Sequence, residues 1–221
     1  MSSALSSTAQ KLMLREQYGT PEQQRETVTL GMWIFLATEV MFFGGLFMAF
    51  AVYRMRFPQG FDEGSADMSI VLGSINTAVL IASSFAMALA IHSAATGKQY
   101  RSVWLLLTTA FLGVAFLAIK FTEYYQHYEA HKVPGIWFET SKPEAGAMQL
   151  FYVFYFAMTG LHALHMTIGI TLVIIYALRA AAGSFDSEYH TPLEALGLYW
   201  HFVDIVWVFL FAIFYISGLH T

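Results

Sequence analysis

The hydrophobic pattern along the chain consists of long apolar segments separated by short polar ones. Five segments are long enough to cross about 30 Å of hydrocarbon as α-helices: Val28–Tyr53, Met68–His92, Ser102–Phe121, Met148–Leu178 and Pro192–Ser217. Their apolar residues run without the alternation of a transmembrane β-barrel, and lipid does not tolerate unpaired backbone amides. The sequence therefore predicts an all-α fold, a polytopic membrane bundle with five transmembrane helices.

The polar segments divide the chain into a tail at residues 1–27, a bundle at 28–217 and a short C-terminal tail at 218–221. The first tail is rich in Ser, Gln and Glu and has no apolar core of signal-peptide length, so we expect no cleaved leader. Four polar connections join the helices as interfacial loops: Arg54–Asp67, Ser93–Arg101, Tyr124–Ala147 and Arg179–Thr191. The last helix is predicted to start near Pro192, which follows the capping residue Thr191 and precedes Glu194.

Composition excludes several classes of protein. Hydrophobic residues make up 57% of the chain and charged residues 12%, which leaves too few polar groups for an aqueous surface. The net charge of −4 comes without a Lys/Arg cluster, so nucleic acid is not an expected partner. Cysteine is absent, which excludes disulfides, thiolate metal sites and cysteine nucleophiles. Phosphate-binding glycine loops, nucleophile elbows and HExxH zinc motifs are also missing, so mechanisms of soluble enzymes find no support.

Several ionisable residues fall near the middle of the predicted spans, where each needs a partner, a cavity or a neutral form. They are Glu39, His162, His165, His201 and Asp204. The two histidines of the fourth helix are three residues apart, as are His201 and Asp204, so each pair shares a helix face. One interpretation is that carboxylates and imidazoles pair and hold the first, fourth and fifth helices in register. The alternative is that Glu39 belongs to a proton-related or lipid-related site; histidine ligation of a metal or haem is the least favoured hypothesis.

Other polar and aromatic positions favour structural roles. Lys120 and Glu123 are three residues apart at the end of the third helix, and His127 follows four residues later, a spacing typical of an exposed, solvated ion-pair face. Small and polar residues of the second helix predict a packing seam at Ser69, Gly73, Asn76 and Ser83. Aromatic residues near the span boundaries are predicted to anchor the bundle at the membrane interface: Trp33, Trp104, Tyr124, Tyr125 and Trp137.

Three segments resemble subunit III of haem–copper oxidases, the cytochrome c and quinol oxidases. Gly31–Phe43 (GMWIFLATEVMFF) is similar to the family's helix with a buried glutamate, here Glu39. Thr159–Gly169 (TGLHALHMTIG) resembles the family's helix with paired histidines, and Tyr199–Trp207 (YWHFVDIVW) its closing signature. The weaker Glu123-Tyr124-Tyr125 adds to a match that extends from about Val28 to Ser217.

The resemblance implies a role in oxygen reduction to water by a larger, proton-translocating complex. Subunit III of this family binds the catalytic subunit I, with subunit II and other oxidase subunits in the same complex. It contributes no haem or copper, lies near the entrance of the proton-uptake channel and helps to sustain turnover. We therefore expect no catalytic centre, cofactor or metal in this chain, haem and copper in partner subunits, and contact with membrane lipids. The expected location is a bacterial cell (inner) membrane.

The chain departs from the family pattern in two respects. The longest members have seven helices, and this chain corresponds to the last five. The loop Tyr124–Ala147, with Pro134, Trp137 and Pro143, is longer than usual and is expected to contact a partner outside the membrane.

Two other functions are open. The three motif segments are also compatible with an accessory membrane subunit of a nitric oxide reductase. An independent haem-binding membrane enzyme would instead use His162, His165 and His201.

We predict that the N-terminus faces the cytoplasm and the C-terminus faces the opposite side. An odd number of spans separates the termini, and six basic residues fall on the N-terminal side against four on the other. The six are Lys11, Arg15, Arg25, Lys98, Arg101 and Arg179, and the four are Arg54, Arg56, Lys132 and Lys142. Reporter fusions at each terminus test this topology. Two termini on one side would contradict the five-helix arrangement.

Overall fold

The computed structural model describes residues 20–135, 138–139, 144–183 and 191–217, and nearly all of them are helical. The helices are α1 (Pro21–Arg56), α2 (Pro58–Ala66), α3 (Ile70–Ala95), α4 (Gln99–Glu129), α5 (Ala145–Ala181) and α6 (Thr191–Phe211), with a π-helical turn at Ala212–Ile216. Within the described residues, five helices are long and apolar enough to span a membrane. The prediction of an all-α bundle with five transmembrane helices is therefore confirmed.

The helices differ from the sequence prediction mainly in the start of α1, the loop after it and the end of α4. Helix α1 begins at Pro21 rather than near Val28, because the Thr20 hydroxyl accepts a hydrogen bond from the Gln23 amide at 3.1 Å and caps the helix. The predicted loop after α1 contains the short helix α2. Helix α4 continues to Glu129 instead of ending near Phe121, because the polar residues of its last turns pack inside the bundle. Trp137, Lys142 and Pro143, named above for this connection, lie outside the described residues.

Helix α6 is the centre of the bundle, and α1 lies at its edge. In the most hydrophobic stretch of each span, 50% of the residues are buried for α6 and its π-helical turn, whereas only 17% are buried for α1. Two buried tryptophans of α6, Trp200 and Trp207, are among the largest fully buried side chains. The outer surface of α1 is apolar, with exposed side chains such as Trp33 and Met41. A surface of this kind is suited to lipid or to another membrane protein.

Small and polar residues line the contact between α3 and its neighbours, as predicted for Gly73, Asn76 and Ser83, which are all buried. Ser83 donates to the carbonyl oxygen of Thr109 on α4 at 3.4 Å and accepts from Trp200 Nε1 of α6 at 3.1 Å. Ser69 instead caps the start of α3, where its hydroxyl accepts from the Leu72 amide. Short side chains let three helices approach closely and still satisfy the hydroxyl inside the membrane.

Helix α2 packs across one end of the bundle on two glycines. A Cβ atom on Gly60 would lie 2.5 Å from Ala147 Cβ of α5, and one on Gly64 would lie 2.5 Å from the Phe151 ring. Ser65 donates to the Phe214 carbonyl of the π-helical turn at 2.7 Å. The backbone of α2 therefore lies directly against α5 and the end of α6, where a larger residue has no space.

We predict that Gly60→Ala lowers the free energy of unfolding by about 1–3 kcal/mol, because the added methyl group overpacks the contact with α5. Gly146→Ala is the matched control, since a Cβ at Gly146 meets nothing within 4 Å. Thermal unfolding in detergent, followed by circular dichroism, measures both variants. Equal stability of the two variants would contradict the close approach of α2.

Candidate functional site

Glu39 and His165 form an interhelical pair in the middle of the membrane span. His165 Nε2 lies 3.1 Å from Glu39 Oε2, and the two side chains are 14% and 19% exposed. The other ring nitrogen of His165, Nδ1, lies 2.8 Å from the Leu161 carbonyl oxygen, to which it must donate because a carbonyl oxygen only accepts. Nε2 is therefore the ring nitrogen that faces Glu39, and the pair joins α1 to α5 near the edge of the bundle.

The surroundings of this pair join three helices. The Tyr199 hydroxyl of α6 donates to the His165 backbone carbonyl at 2.9 Å. The Phe43 ring of α1 lies one turn beyond Glu39 and packs edge-on against the His165 ring, with 5.4 Å between the ring centroids. The structure thus brings together Glu39 of the first resembling segment, His165 of the second and Tyr199 of the third.

The other candidate residues of this layer have separate environments. His201 Nδ1 is hydrogen-bonded to the Ser84 hydroxyl at 2.6 Å, and His162 donates from Nε2 to the Val203 carbonyl at 3.2 Å. Nδ1 of His162 is buried without a hydrogen-bond partner in the described part of the chain, whereas the buried carboxylate of Asp204 lies beside the Ser84 hydroxyl that also contacts His201. Asp204 and His201 thus do not join the Glu39–His165 pair in one network.

The three histidines of the haem hypothesis, His162, His165 and His201, have three different polar partners. Across residues 20–135, 138–139, 144–183 and 191–217, no group of three or more His, Asp or Glu side chains is arranged to hold a metal ion. Nothing in this geometry therefore favours an independent haem enzyme.

A second polar site is the buried cluster of Lys120, Glu123, Tyr155 and Tyr215, called here the ionic cluster. Lys120 Nζ donates to Glu123 Oε2 at 2.9 Å, to the Tyr155 hydroxyl at 2.8 Å and to the Tyr215 hydroxyl at 2.6 Å. The Tyr215 hydroxyl in turn donates to Glu123, 2.6 Å from Oε1. The side chains of Lys120 and Glu123 are 2% and 3% exposed. Helices α4 and α5 and the π-helical turn therefore meet at one buried charge pair.

The prediction of an exposed, solvated ion-pair face at Lys120 and Glu123 is wrong. A spacing of three residues places two side chains on one helix face, but it does not say whether that face meets water or protein. The face is buried here because α4 extends beyond the predicted end and packs against α5, while the π-helical turn directs Tyr215 onto the pair. The one signal in the sequence was that Lys120 lies within the predicted apolar span.

Comparison with known proteins identifies the family. The family model described as cytochrome c oxidase subunit III matches residues 17–219. A Synechocystis protein named cytochrome c oxidase subunit 3 is 32% identical over 221 residues, 98% of this chain and 85% of that protein. The mouse protein of the same name is 34% identical over 196 residues, 85% of this chain and 69% of that protein. This chain belongs to the cytochrome c oxidase subunit III family. The resemblance of the three sequence segments is thereby confirmed.

The three segments that resemble the family lie on three different helices of the bundle. The glutamate helix is α1, the paired-histidine helix is α5 and the closing signature is α6. Glu39 and His165 meet between α1 and α5. Lys120 lies outside the three segments that carried the resemblance, and the weaker Glu123-Tyr124-Tyr125 motif supplies the other half of its ion pair. The ionic cluster was therefore absent from the candidate residues taken from the sequence.

We predict that Lys120→Met lowers the free energy of unfolding by about 3–5 kcal/mol, because it leaves the Glu123 carboxylate buried without its cation. The double variant Lys120→Met/Glu123→Gln is expected to recover most of this loss, since it buries no unpaired charge. Chemical unfolding in mixed micelles measures both. Lys132→Met is the control: its partner Asp67 is 3.3 Å away at a partly exposed position, where such a pair contributes at most about 1 kcal/mol. Equal losses for the single and double variants would contradict the charge-pair account.

Proposed function

We propose that this chain is subunit III of a proton-pumping haem–copper terminal oxidase, in which it supports the catalytic subunit and its proton uptake. The observation that carries the proposal is the family match over residues 17–219. Relatives that match most of the chain bear the name cytochrome c oxidase subunit 3, which favours an oxidase over a nitric oxide reductase. Electron transfer and oxygen reduction belong to the partner subunits in this proposal.

The proposed partners are the catalytic subunit I, subunit II and membrane lipids. An apolar outer face on α1 supports a membrane-embedded partner, because this helix buries little of its surface against its own chain. Haem and copper are assigned to the partner subunits. The proposed location is the inner membrane of a bacterial cell, with the N-terminus in the cytoplasm.

Purification from native membranes in mild detergent tests this assignment. We expect the chain to co-purify with a haem-containing large subunit, and the chain expressed alone to be colourless, since the three candidate haem ligands His165, His162 and His201 are engaged with Glu39, Val203 and Ser84. Identification of the associated chains and a redox difference spectrum are the measurements. A stoichiometric Soret band from the isolated chain would overturn the assignment and favour a haem enzyme.

Glu39 is the residue that we propose for proton access or for an effect on the adjoining lipid. Its carboxyl group is partly exposed at the edge of the bundle, and its Oε2 lies 3.1 Å from Nε2 of His165. Ionisable groups at this depth are rare, and each is a hypothesis for a functional site. Because α1 is the least buried span, a change at Glu39 reaches the surface that meets lipid or the partner subunit.

We predict that Glu39→Gln assembles normally and reduces sustained turnover by less than about tenfold, or about 1.4 kcal/mol. The glutamine amide keeps the size of the side chain and donates to neutral Nε2 of His165, so the interhelical contact survives while the exchangeable carboxyl proton is lost. The loss should be largest at high pH, where proton supply limits the rate. Subunit stoichiometry and oxygen consumption over many turnovers measure the effect.

Two comparison variants make this experiment specific. Glu39→Leu removes the hydrogen bond as well, leaves His165 Nε2 unpaired and should weaken assembly by about 1–3 kcal/mol. Glu129→Gln changes an exposed carboxylate at the end of α4 and should match wild type. Loss of the chain from the Glu39→Gln complex would show that Glu39 is a structural tie. Wild-type turnover of Glu39→Gln at every pH would reduce Glu39 to a packing residue.

A further inference from the structure

The ionic cluster contains a charge pair that the proposed function does not use. A buried lysine and glutamate leave donors and lone pairs that their mutual contact does not satisfy, so the additional partners of each charge matter. Here both carboxylate oxygens of Glu123 accept from Tyr215, at 2.6 and 2.9 Å, and the ammonium group of Lys120 also donates to two tyrosine hydroxyls. Each charge therefore has stabilising contacts besides the opposite charge.

Aromatic rings surround the Lys120 ammonium group. Its Nζ lies 4.5 Å from the centre of the Tyr155 ring, 5.1 Å from that of Trp207, 5.3 Å from that of Tyr215 and 5.4 Å from that of Tyr124. Each such contact stabilises a cation, and the contribution grows where water is excluded. The rings and the phenol oxygens can hold Lys120 as a cation when Glu123 is neutral. Protonation of Glu123 would then leave one positive charge, on Lys120, in contact with these rings and hydroxyl groups.

His127 lies between Glu123 and the end of the bundle. It follows Glu123 by one helical turn. Its ring packs edge-on against the rings of Tyr152 and Tyr155, with centroid distances of 5.6 and 5.4 Å. His127 is more than nine-tenths buried. Its Nε2 nevertheless has no hydrogen-bond partner within the described residues. A buried imidazole nitrogen in this position can accept a proton and pass it on.

The Tyr152 ring that packs against His127 carries a hydroxyl group directed to polar residues at the end of the bundle. The Tyr152 hydroxyl donates to Asp67 Oδ2 at 3.4 Å, and Lys132 pairs with the same oxygen at 3.3 Å. The side chains of Asp67 and Lys132 are 29% and 19% exposed, so this end of the bundle meets water. The titratable groups that face Glu123 and these residues from the packed elements are Lys120, Tyr124, His127, Tyr152, Tyr155, Tyr215, Asp67 and Lys132.

The π-helical turn at Ala212–Ile216 is the local feature that completes the site. It widens the end of α6 so that the adjacent residues Phe214 and Tyr215 are both buried, with the Tyr215 hydroxyl on the ion pair. Turns of this type are rare and occur often at functional sites. The Phe214 carbonyl accepts from Ser65 of α2, which ties this turn to the end of the bundle.

We propose that Glu123 is a reversible proton-binding site inside the membrane, reached through His127 from the aqueous phase at the end of α4. On uptake, a hydronium ion becomes water, the His127 ring carries the proton, and a new O–H bond forms on the Glu123 carboxylate. The ionic cluster then changes from neutral to a charge of +1, which stays on the Lys120 ammonium group among its aromatic rings. Release follows the same route in reverse. This site is separate from the Glu39–His165 pair, and it does not depend on the proposed function.

Infrared difference spectroscopy of the full chain in lipid bilayers tests the proposal. A step to lower pH should produce the C=O stretching band of a carboxylic acid in an apolar environment. The band should be lost in Glu123→Gln. The band should be shifted in frequency in Glu123→Asp, because this variant retains a carboxyl group. Glu123→Asp replaces Glu123→Gln as the test variant if the glutamine variant does not fold. Absence of any such band in wild type, at every pH where the helices persist by circular dichroism, would show a permanent structural ion pair and overturn the proposal.

The route is tested by the rate at which the band appears after a rapid pH change. His127→Phe keeps the ring packing against Tyr152 and Tyr155 but cannot carry a proton, so the rate should fall at least tenfold while the final amplitude is retained. His92→Phe changes an exposed histidine at the opposite end of the bundle and should leave the rate unchanged. Equal rates for wild type and His127→Phe would overturn the proposed route.

Discussion

Hydrocarbon cannot solvate polar groups, and this constraint governs the arrangement of the bundle. A polar side chain at lipid depth needs a hydrogen-bond partner, on its own helix or on another, or it costs several kcal/mol. Helix pairing is therefore specified at a few points: Glu39 with His165 between α1 and α5, and Ser83 between α3, α4 and α6. Apolar side chains fill the space between these points but do not by themselves choose the partners, because lipid is as apolar as they are.

The closing signature on α6 shows how one motif satisfies this constraint. Its polar side chains are directed to two different neighbours of the central helix. Tyr199 donates to the His165 carbonyl on α5, whereas Trp200, His201 and Trp207 meet hydroxyl groups of α3 at Ser83, Ser84 and Thr77. The motif thus fixes the rotation of α6 relative to both neighbours. Within this chain, the contacts of the motif align the helices.

The two proposed proton sites differ in exposure, and the difference follows from their positions. Glu39 lies on the least buried helix, where its pair with His165 is partly exposed at the edge. Glu123 is enclosed by α4, α5 and the π-helical turn, and the aromatic rings around Lys120 replace the water that a surface pair would have. A change at the first site reaches lipid or a partner subunit. A change at the second acts first on the contacts of α4, α5 and the end of α6.

The sequence by itself determined the number of spans, the family and the candidate residues Glu39 and His165, because apolar length and local motifs are properties of consecutive residues. Tertiary structure alone decided that Lys120 and Glu123 are buried and that Tyr155 and Tyr215, which are 35 and 95 residues from Lys120, complete their site. It also decided that His162, His201 and Asp204 do not join Glu39 in one network. Local spacing assigns a side chain to a helix face, but only the packing of the other helices decides what that face meets.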